Sequence, residues 1–345
     1  MFKLSVDKKS IGGETVQEKN VVMNTYWSDN ERFADIVNVA LFQAKKLILA
    51  DQLEEIDGCE STMVGEKNRQ KKGVQKYRDV VKKATDKVNF MILGIENQSD
   101  IHYAMPLKVM GYDYLGYDKQ LRKLKAKHRK ERDLSGAEFI SGFSRTDKLL
   151  PICTLVIYSG EEPWIGPTRL SDILDLNDLP EEMRRVVADY PIHVVDMRRF
   201  KDSEKLQTDA RLLFGVLQRQ GSESEMQAYR KENAYAFKNV SEDTYEAIGA
   251  LTHSEQFLEL KETSKNEKGG YNMCKAFDDM EKSAERRGEK RGEKRGEKRG
   301  EKRAEAKIMA LIQSMTANGE LENIPRLTTD KAFYEEMLQK YAPVF

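Results

Sequence analysis

Three residues, Asp79, Glu96 and Gln98, have the types and spacing to gather around a hard metal ion. Glu96 and Gln98 close an apolar run, 90–95, that has no helical period and reads as a strand buried on both faces. At i and i+2 on such a strand, their side chains project from the same side. Asp79 lies 17 residues before Glu96, which is room for a short hairpin that returns the chain alongside. A carboxylate on one strand and a Glu-x-Gln pair on the next can converge on one divalent cation. An ion such as Mg²⁺ takes oxygen ligands and leaves positions for water and a phosphate oxygen. By itself Asp79 reads more simply as a strand-end aspartate capping a turn; the neighbouring Glu-x-Gln favours the metal.

The elements that must position these residues follow from pattern. Residues 78–81 and 89–96 are expected to form the hairpin, after a short strand near 59–64 and a loop rich in lysine and arginine. A helix is expected from Ser28, with Glu31 completing a capping box, and with Phe33, Ile36, Val37, Ala40 and Leu41 at helical spacing. Asp35 and Asn38 share another face of that helix and can approach the metal end of the sheet, although a solvated aspartate in a first turn reads equally well. Pro106 suits the first turn of a further helix, on which Val109, Met110, Tyr112, Tyr114, Leu115 and Tyr117 are expected to pack on the sheet. The stretch 119–132 continues it with eight bases against one acid, Glu131. So dense a run of one sign suits phosphate neutralisation by Lys119, Arg122, Lys123, Lys125, Lys127, Arg129 and Lys130, and an unbound basic helix accounts for it as well. Residues 150–158 and 190–197 read as further strands, with His193 a core histidine, and 170–189 between them as helical with acidic loops.

Arg78-Asp79, then Ile95-Glu96-Asn97-Gln98, then Tyr103-Ala104-Met105-Pro106 resemble the PD-(D/E)XK nuclease superfamily. Within it they are similar to the Rpn/YhgA-like group, known as recombination-promoting nucleases or PD-(D/E)XK family transposases. The similarity extends through Tyr158-Ser-Gly-Glu-Glu-Pro-Trp164 and covers roughly residues 28–200. It implies an α/β fold: a restriction-endonuclease-like core, a mixed central sheet flanked by helices, with a helical C-terminal region. It also implies that Asp79 and Glu96 are ligands of Mg²⁺ or another divalent cation, that Gln98 stands where the superfamily has lysine, and that Asp35 supports the site from the first helix. The departures are Arg78 where a proline is usual and the glutamine itself, which can orient a water but carries no positive charge. Glu161 and Glu162 read better as a charged turn than as further ligands.

Composition sets the limits. Formal charge is zero over 345 residues, so attraction to nucleic acid must be local. Three cysteines far apart in no ligand spacing suggest a reducing compartment. No signal-like or membrane-length apolar run is present, so a cytoplasmic protein without membrane association is expected. The organisation expected is a flexible polar arm (1–27), the nuclease-like domain (28–202), a helical region (203–280), a charged segment (281–307) and a helical tail (308–345). The charged segment holds four tandem Gly-Glu-Lys-Arg units and reads as a solvated linker or marginal helix, because glycine every fourth residue lowers helix stability and makes no fixed packing stripe. The expected activity is a metal-dependent DNA endonuclease. The alternatives are a nucleic-acid-binding derivative with weak or no catalysis, or an oligomeric scaffold joined through the charged segment.

Overall fold

A computed structural model describes residues 16–56, 59–64, 72–77, 79–86, 88–252, 254, 257, 259–267 and 269–341. The fold is mixed α/β around a five-stranded sheet. Its strands are β1 (Leu53–Glu55), β4 (Val80–Asp86), β5 (Val88–Gln98), β6 (Ile152–Tyr158) and β7 (His193–Asp196), adjacent in that order. Strands β2 (Cys59–Val64) and β3 (Lys72–Tyr77) pair apart from it as an antiparallel ribbon. β1–β4 and β4–β5 are antiparallel, whereas β5–β6 and β6–β7 are parallel. A parallel step needs a long crossover, and between β5 and β6 it is supplied by a 27-residue helix. This architecture, with its helical C-terminal region, is compatible with a restriction-endonuclease-like core.

β5 is central, so both of its faces are covered, and Leu93 and Ile95 are almost fully buried. One face lies under α1 (Val16–Ser28), which leads into α2 (Asn30–Phe42). There Lys82 of β4, itself buried, donates to the Ser28 carbonyl at 2.6 Å and to the Asn30 side chain at 2.5 Å. A cation at the last carbonyls of α1 satisfies groups the helix leaves open and complements its dipole. The other face lies under the crossover helix α3 (Met105–Glu131), whose Met105 and Val109 pack with Val156 and Ile192. Pro106 sits in the first turn of α3, as expected. Of the tyrosines expected on the sheet, Tyr112 is buried but Tyr114 is 63% exposed.

Residues 16–27, expected as part of a flexible arm, instead form α1 and bury Met23, Tyr26 and Trp27. The rest of that arm, 1–15, lies outside the described residues. The next helix starts later than expected: Asp29, not Ser28, caps α2 by accepting from the Arg32 amide, while the Ser28 hydroxyl turns back to Asn24. His193 is exposed rather than in the core. Residues 170–189 hold only a 3-10 turn (Leu170–Ile173) and one short helix (Glu181–Arg184), because few of their side chains are buried enough to stabilise more.

The helical region packs against this core. Helices α4 (Ala210–Arg219), α5 (Glu223–Glu232) and α6 (Glu242–Leu251) follow β7, and α1 lies against α6. Arg32 on α2 is buried and donates to Asp209 at 2.7 and 3.0 Å, to Asp243 at 3.1 Å and to Ser241 at 2.7 Å. A guanidinium so fully bonded tolerates burial, and losing one partner would leave a charge stranded. Residues up to Ala276 make one compact unit.

The second unit, Phe277–Phe345, contains most of α7 (Met273–Ala317). The charged repeat is helical, and its residues 292–307 are exposed throughout. Past the repeat, Leu311 and Met315 pack with Met337 and Tyr341 around α8 (Lys331–Lys340), giving the tail a small core of its own.

Candidate active site

Asp79 immediately precedes β4, whose first residue Val80 lies opposite Ile95, so the Asp79 backbone enters the sheet beside the Glu96–Asn97 end of β5. Side chains alternate between the two faces along a strand. Glu96 and Gln98 therefore look toward α3, and Asn97 between them looks toward α1. The expected side-by-side placement holds: Gln98 Nε2 donates to Glu96 Oε1 at 3.0 Å and to the Asn97 carbonyl at 2.9 Å.

The Asp79 carboxylate is held at both oxygens. Oδ2 accepts the Asn97 backbone N–H at 2.7 Å, and Oδ1 accepts from Asn24 Nδ2 at 3.2 Å. Asn97 Nδ2 donates in turn to Asn24 Oδ1 at 2.8 Å, which closes a ring of three residues from the start of β4, β5 and α1. Burial pushes the Asp79 carboxyl above its ordinary 3.8, against the lowering influence of the Asn97 amide, Asn24 and the charge of Lys108. A partly desolvated carboxylate of this kind gains from a nearby positive charge.

Lys108, one turn into α3, provides one. Its Nζ lies 2.5 Å from Glu96 Oε1, with the Glu96 side chain 5% exposed and the Lys108 side chain 26%. Neither Lys108 nor Asn24 was found from sequence. Lys108 had a usable signal, a lysine in the first turn of the helix that leaves the Glu-x-Gln strand. Asn24 had none, since α1 carries no clear apolar stripe. Two carboxylates and an amide at one sheet end offer oxygen ligands that suit a hard cation, and the ammonium beside them suits a phosphate. Asp79 and Gln98 are half-buried, and a cleft of about 670 Å³ lined in part by Ser99, Asp100, Ser159, Glu161 and Glu162 opens next to Gln98. Glu161 and Glu162 are exposed there, as a charged turn should be.

Asp35 is not brought to this site. Its Oδ2 accepts from the amides of Gln207 and Thr208 and from the Thr208 hydroxyl, each at 2.8 Å, so it fixes the chain entering α4. Its helix partner Asn38 is likewise spent on backbone, bonding Leu47 and Ile48. Both point away from the carboxylates because the face of α2 that they share meets the 44–50 and 205–208 segments.

The basic stretch is also placed differently from expectation. Tyr117 accepts from the Ile152 amide and Gln120 pairs with Leu150, which sets that part of α3 level with the start of β6. Residues 119–132 therefore run past the opposite end of the sheet from Glu96. At 1.5 Å per residue they begin about 16 Å and end about 36 Å from Lys108 along the helix. Within the stretch Arg122 pairs with Asp118 and Lys127 with Glu131, while Lys123, Arg129 and Lys130 are exposed.

His128, on the same stretch, bonds Asp133 at 2.8 Å through Nδ1 and Asp147 at 2.8 Å through Nε2. With Glu131 and Asp133 it makes a group whose ligand atoms lie within 4.8 Å of one another, a spacing compatible with a metal ion. Both ring nitrogens already serve carboxylates, which makes the cluster a clasp on the 133–147 loop.

No helix among the described residues is long and apolar enough to cross a membrane. Neither a curated protein nor a solved structure matches the chain. Residues 75–246 match a family model described as "Putative transposase, YhgA-like". That span holds Asp79, Glu96, Gln98, Lys108 and the basic stretch, and it leaves out α1 with Asn24 and α2 with Asp35. Residues 75–246 are thus a domain similar to the YhgA-like transposase family.

Proposed function

We propose that this protein is a metal-dependent DNA endonuclease of the recombination-promoting type, working in the cytoplasm. The observation that supports it best is the Asp79 carboxylate bonded to the Asn97 amide, next in the chain to Glu96, with Gln98 and Lys108 both bonded to Glu96. Asp79 and Glu96 would hold Mg²⁺ or another divalent cation. When bound, the ion polarises the scissile phosphate and lowers the pKa of a water. Gln98 has its amide NH₂ committed to Glu96 and the Asn97 carbonyl, so its carbonyl end is the part turned to accept a hydrogen bond from the attacking water and orient it. That water adds to phosphorus and gives up a proton to solvent, the bond to one sugar oxygen breaks, and the departing oxygen takes a proton from solvent.

DNA is the substrate the family description favours. The exposed bases of 119–132 would neutralise phosphates remote from the cut. Their distance of about 16–36 Å along α3 spans roughly half to one turn of duplex, one turn being roughly 34 Å. A second reading, a nucleic-acid-binding protein with little catalysis, draws on the neutral glutamine at position 98.

The deciding experiment is cleavage of supercoiled plasmid with Mg²⁺, with EDTA, and with Asp79→Ala and Glu96→Ala chains checked by circular dichroism. Nicking that needs Mg²⁺ and is lost in both folded variants is the expected result. Wild-type nicking in both variants would refute the site, and binding without nicking by the intact chain would favour the second reading.

A further inference from the structure

Resting on that reading of the site, the geometry points to Lys108 as its working cation. We infer that the Lys108 ammonium contacts the scissile phosphate in place of a charge at position 98. We infer also that it competes with the divalent ion for Glu96. The site needs a positive group because charge builds on the phosphate oxygens during attack, and a neutral amide cannot balance it. Among the described residues of the site, Lys108 is the cation in contact with a carboxylate of the pair, 2.5 Å from Glu96 Oε1.

Its position is fixed rather than incidental. Met105 and Val109, on either side of it in sequence, are buried against Val156 and Ile192, which anchors this turn of α3 to the sheet. The Lys108 stem runs toward Tyr112 one turn on, with Nζ 5.9 Å from the ring centroid. The ammonium is therefore delivered from a rigid helix, as a preorganised charge should be. An ammonium 2.5 Å from Glu96 Oε1 also sets a positive charge against the carboxylate that would ligate the metal, and like charge opposes the ion. With a cation bound at Glu96, the ion pair would be weakened by that repulsion, and Nζ would be the group placed to contact an incoming phosphate.

The consequence is opposite effects of one substitution on two measurable quantities. Lys108→Met keeps the stem and removes the charge. It should raise affinity for Mn²⁺, followed by electron paramagnetic resonance on the full chain, by about tenfold, the equivalent of one hydrogen-bonded charge pair. The same variant should lower cleavage at saturating Mn²⁺ by about 10²–10³-fold, the usual loss on removing one transition-state donor. A merely structural lysine would lower both together. A check that needs no variant is mass-spectrometric acetylation of the wild-type chain: Lys108 labelling should rise when Mn²⁺ binds and fall again when a duplex is added in Ca²⁺. Unchanged Mn²⁺ affinity in Lys108→Met, or Lys108 labelling indifferent to Mn²⁺ that demonstrably binds, overturns the inference and leaves the metal site intact. If the wild-type chain binds no Mn²⁺, or binds it equally with Asp79→Ala and Glu96→Ala, the metal site itself falls and this inference falls with it.

Discussion

Replacing Asn24 by alanine tests whether α1, which lies outside the family match, is part of the active site. Asn24 gives Asp79 one hydrogen bond at 3.2 Å and takes one from the buried Asn97 side chain at 2.8 Å. Alanine removes both. Stranding a buried donor such as Asn97 Nδ2 costs about 1–3 kcal/mol, and the lost bond to a carboxylate adds to it. The Asp79 bond is long and Asn24 is half-buried, so water can replace part of that second contribution. The expected total is about 2–3 kcal/mol. Urea unfolding followed by tryptophan emission measures it well, because Trp27 is fully buried on the same helix. The decisive quantity is the coupling in the cycle Asn24→Ala, Asn97→Ala and the double variant. A closed ring requires a coupling of about 1 kcal/mol or more. A cost for Asn24→Ala below about 0.5 kcal/mol, with coupling within about 0.3 kcal/mol of zero, would show that α1 merely rests on the sheet and does not hold Asp79.

Two further outcomes are expected. His128 should titrate above its ordinary 6.5, because its bond to Asp133, and next its bond to Asp147, favour the charged ring. Since the folded value is the raised one, the clasp's stability is complete below 6.5 and is lost as pH rises through the folded value. Proton NMR of the histidine ring checks this, Asp133→Asn should lower the midpoint, and a midpoint at or below 6.5 would refute the clasp. In the repeat, a Cβ added at Gly292, Gly296 or Gly300 meets nothing within 4 Å. Changing all three to alanine should therefore strengthen α7 by about 0.8–1.0 kcal/mol per site, seen as helical signal at 222 nm that persists to higher temperature; a weaker helix would mean the glycines admit a close neighbour.

Much of the site was legible because strand periodicity is local. A two-residue alternation puts Glu96 and Gln98 on one face wherever the strand lies, and a tight hairpin brings Asp79 alongside. The buried run of β6, Pro106 in the first turn of α3 and the helical C-terminal region were readable for similar reasons. What periodicity does not encode is which helix covers which face. Asp35 and Asn24 were both polar residues on N-terminal helices with no local mark to separate them. Lys82 holding the end of α1, and Arg32 reaching Asp209 and Asp243 far along the chain, set the seating of these helices. That seating sends Asn24 to Asp79 and Asp35 to the 207–208 backbone. The same holds for α3: its basic character is written in residues 119–132, but its antiparallel course over β6 carries that charge away from Glu96 and leaves Lys108 beside it. Sequence determined the carboxylates and the strands that present them; long-range packing, which joins residues with no shared local pattern, decided which side chains meet them.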